Sequence, residues 1–269
     1  MRSFPAAGIA FAVLCGATLH ASIIPILHLD NETIGAFENY VIEFEKTDMA
    51  PFASAGKLWI DGQCCGRRTA FDTGRTVLEP RRNEDVANGS IHHVTGMIRV
   101  EGGSIEAIRR VMEDYPNYPR YFPPDVVSGR GEQMADSTPA DEHFRTTLVL
   151  SEQTLWIKVG FRCQNDTHYR RLDADHWISR SVSLDTGELI DPDNPAGPVY
   201  PDGNNHGFLW KTNTYWFARQ RKGGVDIELN TVTLSRPAPL GFGWWGAKRT
   251  KDAVDKMLRD VKAAMMSAR

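Results

Sequence analysis

The stretch HGFLWKTNTYWFARQRKGGVDIELNTVTLSR, residues 206–236, alternates its side chains on either side of a Gly223-Gly224 pair. That alternation limits the possible folds more than any other feature of the chain. A strand buried on both faces reads as a continuous apolar run, whereas a strand with one dry face alternates. Phe208, Trp210, Trp216 and Ala218 share one parity, and Leu209, Tyr215 and Phe217 share the other beside Lys211, Asn213 and Arg219. An antiparallel hairpin is predicted, with the more apolar set inward. Trp216 is then expected among Ile157, Val159 and Phe161, its indole N–H needing a partner such as Glu228 or a water. Two readings of the return strand stay open. Glu228 and Asn230 share a face with Val232 and Leu234 and form the polar end of a cavity, or a bulge near Asn230 keeps Val225, Ile227 and Leu229 inward.

The rest of the chain supplies partners for this hairpin. In residues 33–48, Ile34, Phe37, Val41 and Phe44 fall at helical spacing. Residues 50–88 show no sustained period. SIHHVTGMIRVEGG places His92, Val94, Ile98 and Val100 on one side of a strand. Ser104 then caps a helix carrying Ile105, Ile108 and Met112. Prolines 116, 119, 123 and 124 allow only short helical turns after it. Strands follow: Phe144, Thr146, Leu148 and Leu150 share a face, as do Leu155, Ile157, Val159, Phe161 and Cys163. HWISRSVSLDTGELI reads as a further strand, and DPDNPAGPVYPDGNN as a long loop. From about Thr250, Val254, Met257, Leu258, Val261, Ala264 and Met265 form the stripe of one long helix. A curved antiparallel sheet needs a cover for its dry face, and this helix is the only long one left to supply it. A sheet closing on a helix leaves space near its open end, where apolar ligands sit.

The N-terminus sets the expected compartment. Arg2 is followed by a charge-free apolar stretch, and small Ala21 precedes Ser22, the layout of a cleaved secretory signal. An uncleaved anchor is the competing reading, although His20, Pro25 and His28 interrupt the run. Residues 1–21 carry only Arg2 as charge, so their removal takes the net charge from −3 to −4. Nothing in that balance resembles the basic face expected of a nucleic-acid binder. Cys64, Cys65 and Cys163 would remain. One of the pair bridged to Cys163, or all three reduced and packed, are the two possibilities, and the second is favoured. No Cys-x-x-Cys or paired-His spacing suggests zinc.

Four blocks, IHH, MEDYPNYPRYFPPDVV, the 206–236 hairpin with the preceding Asn204-Asn205, and PLGFGWW, together resemble the START-like, or SRPBCC, helix-grip superfamily. More narrowly they resemble a group of uncharacterised exported bacterial proteins, over about 180 residues from Ser90 onward. The resemblance implies an α+β helix-grip fold, a curved antiparallel sheet wrapped around a long C-terminal helix, with a hydrophobic-ligand cavity and no stated reaction. Val94 stands where that group usually has Trp. The segment before the last helix is shortened to GAKRTKDAV, which bears on one cavity entrance. The expected organisation is a signal peptide at 1–21, an N-terminal extension at 22–88 and a helix-grip domain at 89–269.

Candidate chemistry is sparse. His92 and His93 are adjacent, face opposite sides of a strand, and cannot share a metal. His206 at a loop-to-strand junction is a possible general base, though loop histidines are more often simply exposed. Asp191, Asp193 and Asp202 lack the EF-hand spacing. There is no nucleophile elbow, phosphate loop or dinucleotide fingerprint. The function expected is non-catalytic binding of a lipid-like or aromatic molecule outside the cytoplasm. The expected cavity residues are Leu155, Ile157, Val159, Phe161, Phe208, Trp210, Trp216, Glu228, Met257, Leu258 and Val261. No catalytic residue, cofactor, metal or nucleic-acid partner is expected, and membrane contact only transiently or through an uncleaved anchor. A cyclase or aromatase-like enzyme and a structural protein with a closed cavity are the alternatives.

Overall fold

The hairpin at 211–235 forms without a bulge: Lys211 pairs with Leu234 and Arg221 with Gly224, and the register is unbroken between them. The computed structural model describes residues 19–20, 25–154, 157–237 and 243–267, without the side chains of 19–20, 154, 157 and 243–247. The leader (beyond Leu19-His20), Leu155, Trp156 and most of PLGFGWW therefore lie outside the described residues. The strands are β1 (Leu19–His20), β2 (Leu27–His28), β3 (Val77–Val86), β4 (Gly89–Glu101), β5 (Val126–Gln133) and β6 (Asp141–Thr154). They continue with β7 (Ile157–Arg171), β8 (His176–Glu188), β9 (Asn204–Asn205), β10 (Lys211–Arg221) and β11 (Gly224–Ser235). The helices are α1 (Asn31–Phe44), α2 (Ala50–Ala55), α3 (Cys65–Asp72), α4 (Ile105–Glu113), α5 (Tyr118–Tyr121) and α6 (Gly243–Ser267). Among the described residues no helix is long and apolar enough to cross a membrane.

The main sheet is antiparallel in the order β3-β4-β11-β10-β8-β7-β6-β5, with β1 added parallel to β7. It curves around α6, and this α+β arrangement is a helix-grip fold. Strand parity divides the sheet into two dry faces. On the α6 side, Val94, Ile98 and Val100 of β4 meet Val225, Ile227 and Leu229 of β11 and Trp216 and Ala218 of β10. Val254, Leu258, Val261, Ala264 and Met265 of α6 close over them, together with Ile105, Ile108, Val111 and Met112 of α4. Ser104 caps α4 by accepting from the Ala107 N–H at 3.1 Å. Gly96 lets α6 sit down on β4, because a Cβ there would lie 2.5 Å from Val254 and 2.6 Å from Leu258.

The opposite face is covered by the N-terminal segment. Phe37, Val41 and Phe44 of α1, Phe52 of α2, Leu58, Ile60 and Phe71 pack on Ile91, Met97, Ile178, Tyr215, Phe217, Val232 and Leu234. The segment 50–88, aperiodic in sequence, holds α2, a 3-10 turn at Trp59–Gly62, α3 and β3. β3 is an edge strand of the sheet itself, so the sheet begins ahead of residue 89. Its sequence VLEPRRNEDV carries a proline and charges, as an edge strand does, and lacks the alternation of an inner one. α6 starts at Gly243 rather than near Thr250.

Between this layer and the sheet lies a polar chain. The Tyr40 hydroxyl donates to His93 Nδ1 at 2.6 Å, and His93 Nε2 donates to Asn230 Oδ1 at 3.2 Å. Thr95 Oγ1 donates to the same oxygen at 2.5 Å. Asn230 Nδ2 then donates to Glu228 Oε1 at 2.8 Å, and the Trp59 N–H donates to Glu228 Oε2 at 2.7 Å. Burial holds His93 neutral, its pKa lowered to about 4, and raises that of Glu228 to about 7.

Two outcomes follow from this packing. Leu258 is fully buried, and Leu258→Ala is expected to cost ~2–5 kcal/mol in chemical denaturation; melting with the parent would contradict the placement of α6. For Glu228 the folded pKa lies above the unfolded one. Its favourable contribution is complete below about pH 4.5 and is lost as the pH rises through 7. His93 works in the opposite direction, so the comparison needs a single variant. Between pH 5 and 8 the parent is expected to lose on the order of 3 kcal/mol relative to Glu228→Gln. Parallel pH profiles for the two proteins would contradict it.

Candidate ligand cavity

Beyond the part of α6 that packs on β4, the sheet and helix diverge and enclose about 510 Å³. Parity supplies the lining. β6 presents Thr146, Leu148 and Leu150; β7 presents Phe161, Cys163, Asn165, Thr167 and Tyr169; β8 presents Ser179 and Ser181; β10 presents Thr212, Thr214 and Trp216. The proline-broken segment after α4 contributes Tyr115, Tyr118, Phe122 and Val126, and α6 contributes Ala253 and Met257. β5 fits against this segment because Gly131 leaves room for the Tyr115 ring, which a Cβ would overlap.

The interior has an apolar end and a hydroxyl-bearing floor. Thr167 and Ser181 hydroxyls lie 2.9 Å apart, and Asn165 Nδ2 donates to Thr146 Oγ1 at 3.4 Å. Three tyrosines are committed to protein partners. The Tyr115 hydroxyl donates to that of Tyr169 at 2.5 Å, and Tyr169 (2.8 Å) and Tyr118 (2.6 Å) both donate to the Met112 carbonyl. Burial raises the pKa of all three above the usual phenol range, and pushes the Cys163 thiol up to about 12. The inner lining is therefore uncharged at neutral pH. Charge collects at the mouth. Arg249 pairs with Glu152 on β6, and Lys256 lies 3.1 Å from Asp125 and 2.6 Å from Asp260 while donating to the Pro123 carbonyl. These contacts pin α6 to both sides of the opening.

The expected cavity residues that are described divide between the lining, the packing behind it, the core under α6 and the opposite face. Phe161, Trp216 and Met257 line the space. Val159 and Phe208 pack immediately behind it with Phe161, Cys163 and Leu209, while Leu258 and Val261 belong to the solid core under α6. Trp210 and Glu228 lie on the opposite face. The regular register settles the choice for β11: no bulge forms, Val225, Ile227 and Leu229 face α6, and Glu228 and Asn230 face the N-terminal layer. Glu228 pairs across the strand with Phe217, so it cannot meet the Trp216 indole. Trp216 also lies two strands from β7, beside Tyr169 and Trp177 in its core cluster rather than Val159 and Phe161. Trp210 precedes the first residue of β10, where the pleat no longer sets its side, and its Nε1 donates to Asn205 Oδ1 at 2.9 Å. Leu155 and the Ile157 side chain lie outside the described residues.

Other candidates are placed as structural groups. His206 is buried, donating from Nδ1 to Glu188 Oε1 at 2.5 Å, and is neither exposed nor part of the cavity lining. Cys64 and Cys65 are exposed and Cys163 is buried, all as free thiols, so packing describes only Cys163. Sequence reasoning missed Asn165, Thr167 and Tyr169 by ending the β7 pattern at Cys163; the same parity carried six residues further finds all three. It also missed Tyr115, Tyr118 and Phe122, which have no periodicity to announce them.

Comparison with protein-family models and with curated proteins returns no match. Among solved structures, the chain is similar to a STAR-related lipid transfer protein fragment from Xanthomonas axonopodis, at 12% identity and a TM-score of 0.46. The alignment covers 70% of this chain and 98% of that one. It is similar to human STARD10 at 11% identity and TM-score 0.40, covering 80% and 84%. It is also similar to the Zhui aromatase/cyclase of a Streptomyces species at 11% identity and TM-score 0.39, covering 66% and 93%. The order of strands and the grip of the sheet on α6 are, in this chain itself, a helix-grip arrangement.

Proposed function

We propose that this protein binds and carries, without chemical change, a hydrophobic molecule with one polar, uncharged end. The observation that carries the reading is the division of the cavity between an aromatic and aliphatic end and a floor of Thr146, Asn165, Thr167, Ser181 and Thr214. An apolar body satisfies the first, and a hydroxyl, carbonyl or ester satisfies the second. Catalysis of the acid–base kind needs a group that titrates near neutrality beside the ligand. Among the described lining residues, the phenols and the thiol are held protonated, and the carboxylates and amines stand at the mouth. That distribution favours carriage over turnover. The leader Arg2 to Ala21 supports carriage outside the cytoplasm.

Delipidated protein is expected to take up an environment-sensitive apolar dye saturably. Ser181→Phe, which fills the floor, and Trp216→Ala, which opens the wall, are expected to weaken uptake about tenfold or more while retaining far-UV dichroism. Absence of saturable uptake by the folded parent would overturn the reading. N-terminal sequencing of the native protein is expected to begin at or near Ser22; a soluble cytoplasmic species retaining Met1 would contradict export.

A further inference from the structure

The outer face of the β6–β7 pair, behind the cavity wall, carries a cluster that plays no part in ligand carriage. His143 on β6 stands directly opposite His168 on β7 in the antiparallel register. Asp141 lies two residues before His143, and Asp166 two residues before His168, so all four side chains share one face. The imidazoles stack with centroids 4.2 Å apart and planes within 13°. Both Nε2 atoms are directed at the one carboxylate of Asp166, His143 to Oδ1 at 2.8 Å and His168 to Oδ2 at 3.4 Å. Each ring turns its other nitrogen to a separate carboxylate: His143 Nδ1–H donates to Asp136 Oδ1 at 2.6 Å, and His168 Nδ1–H to Asp141 Oδ1 at 2.9 Å.

This is the outer-shell arrangement of metal-binding histidines. A carboxylate on Nδ1–H fixes the tautomer and leaves the Nε2 lone pair as the donor. Here two ring nitrogens and one carboxylate converge, an approach that a proton satisfies in the bare protein and that a metal ion in the proton's place would satisfy as well. The ligand atoms of His143, Asp166 and His168 all fall within 4.8 Å of one another. Tetrahedral zinc needs donors roughly 3.4 Å apart, so binding draws the three side chains closer together.

We propose that His143, Asp166 and His168 bind a divalent transition metal ion through His143 Nε2, His168 Nε2 and an Asp166 carboxylate oxygen. Asp136 and Asp141 orient the two rings. Two imidazoles and a carboxylate suit Zn²⁺ and its neighbours better than Ca²⁺ or Mg²⁺, which prefer all-oxygen sites. Three protein ligands leave a fourth position for water on the half-exposed outer face. Arg145 and Arg170, next on the same faces of β6 and β7, and Arg180, opposite His168 on β8, oppose the cation's charge; Arg180 is paired with Glu45 at 2.8 Å, so three carboxylates face the other two arginines. The sheet separates the site from the cavity, so metal and hydrophobic ligand bind independently.

Untagged protein carrying Cys64→Ser and Cys65→Ser, which removes the exposed thiols as competing zinc donors, is titrated with Zn²⁺ and with Co²⁺. One equivalent of zinc is expected to bind, and cobalt to give the visible absorption of a four-coordinate N/O site. In the same background, His143→Ala and His168→Ala are each expected to lose at least 90% of this binding with unchanged dichroism and dye uptake. Asp141→Asn, which touches no metal, is expected to weaken it roughly tenfold. Failure of the folded parent to bind stoichiometric zinc, or binding equal to that of a His143→Ala/His168→Ala protein, overturns the proposal. Loss of dye uptake in the parent alone would count against the carriage reading and leave the metal site standing.

Discussion

Burial of the central sheet on both faces is the constraint on which the rest of the structure depends. β4 and β11 expose almost nothing: one parity of each meets α6 and α4, the other meets the N-terminal layer. A half-polar sheet could leave its second face in water, but this one carries Tyr215, Phe217, Val232 and Leu234 there. The α1–α3 segment is thus a second cover. It is locked on by Arg99, which donates to Asp226 at 2.8 Å and Asp72 at 3.0 Å while lying over the Phe71 ring. The covered strand pair is packed on both faces, and among the described residues the cavity opens where β6, β7 and β8 diverge from the helix.

The two buried faces are chemically unlike, and that difference separates stability from binding. The N-terminal face holds ionisable groups in a closed hydrogen-bond chain from Tyr40 to Glu228, whose protonation is tied to the pH dependence of the fold. On the α6 face the corresponding chain is of phenols alone, Tyr115, Tyr169 and Tyr118, held protonated by burial. Its inner lining carries hydroxyls, one amide and a protonated thiol, all neutral near pH 7, with the charged groups at the mouth. The proposed carriage is then expected to depend little on pH.

Much of this was legible in sequence where burial is one-sided in character. The alternation of residues 211–235, the apolar face of Leu148, Leu150 and Phe161, and the stripe of α6 all placed themselves. The edge strands β3 and β5 did not, since VLEPRRNEDV and VVSGRGEQ carry the charges, proline and glycines that blunt an edge. Trp210 and Glu228 were misplaced for two different reasons. For Trp210, parity was extended past the end of a strand. For Glu228, a carboxylate was assumed to seek a cavity, when two hydrogen-bonding neighbours, the Trp59 N–H and the Asn230 amide, could instead hold it inside a solid layer. The proline-broken segment at 115–122 lines the cavity with aromatics whose spacing follows turns rather than a period.

The central claim is that the space between α6 and the β6–β8 strands is a carriage site and not a packing fault. Native mass spectrometry of mature protein purified without detergent, after chelation of bound metal, tests it most directly. The account predicts a mass above that of the polypeptide, released by organic extraction as a neutral amphiphile and absent from Ser181→Phe. A native mass equal to that of the bare chain, in a protein that stays folded and takes up no added amphiphile, would contradict it.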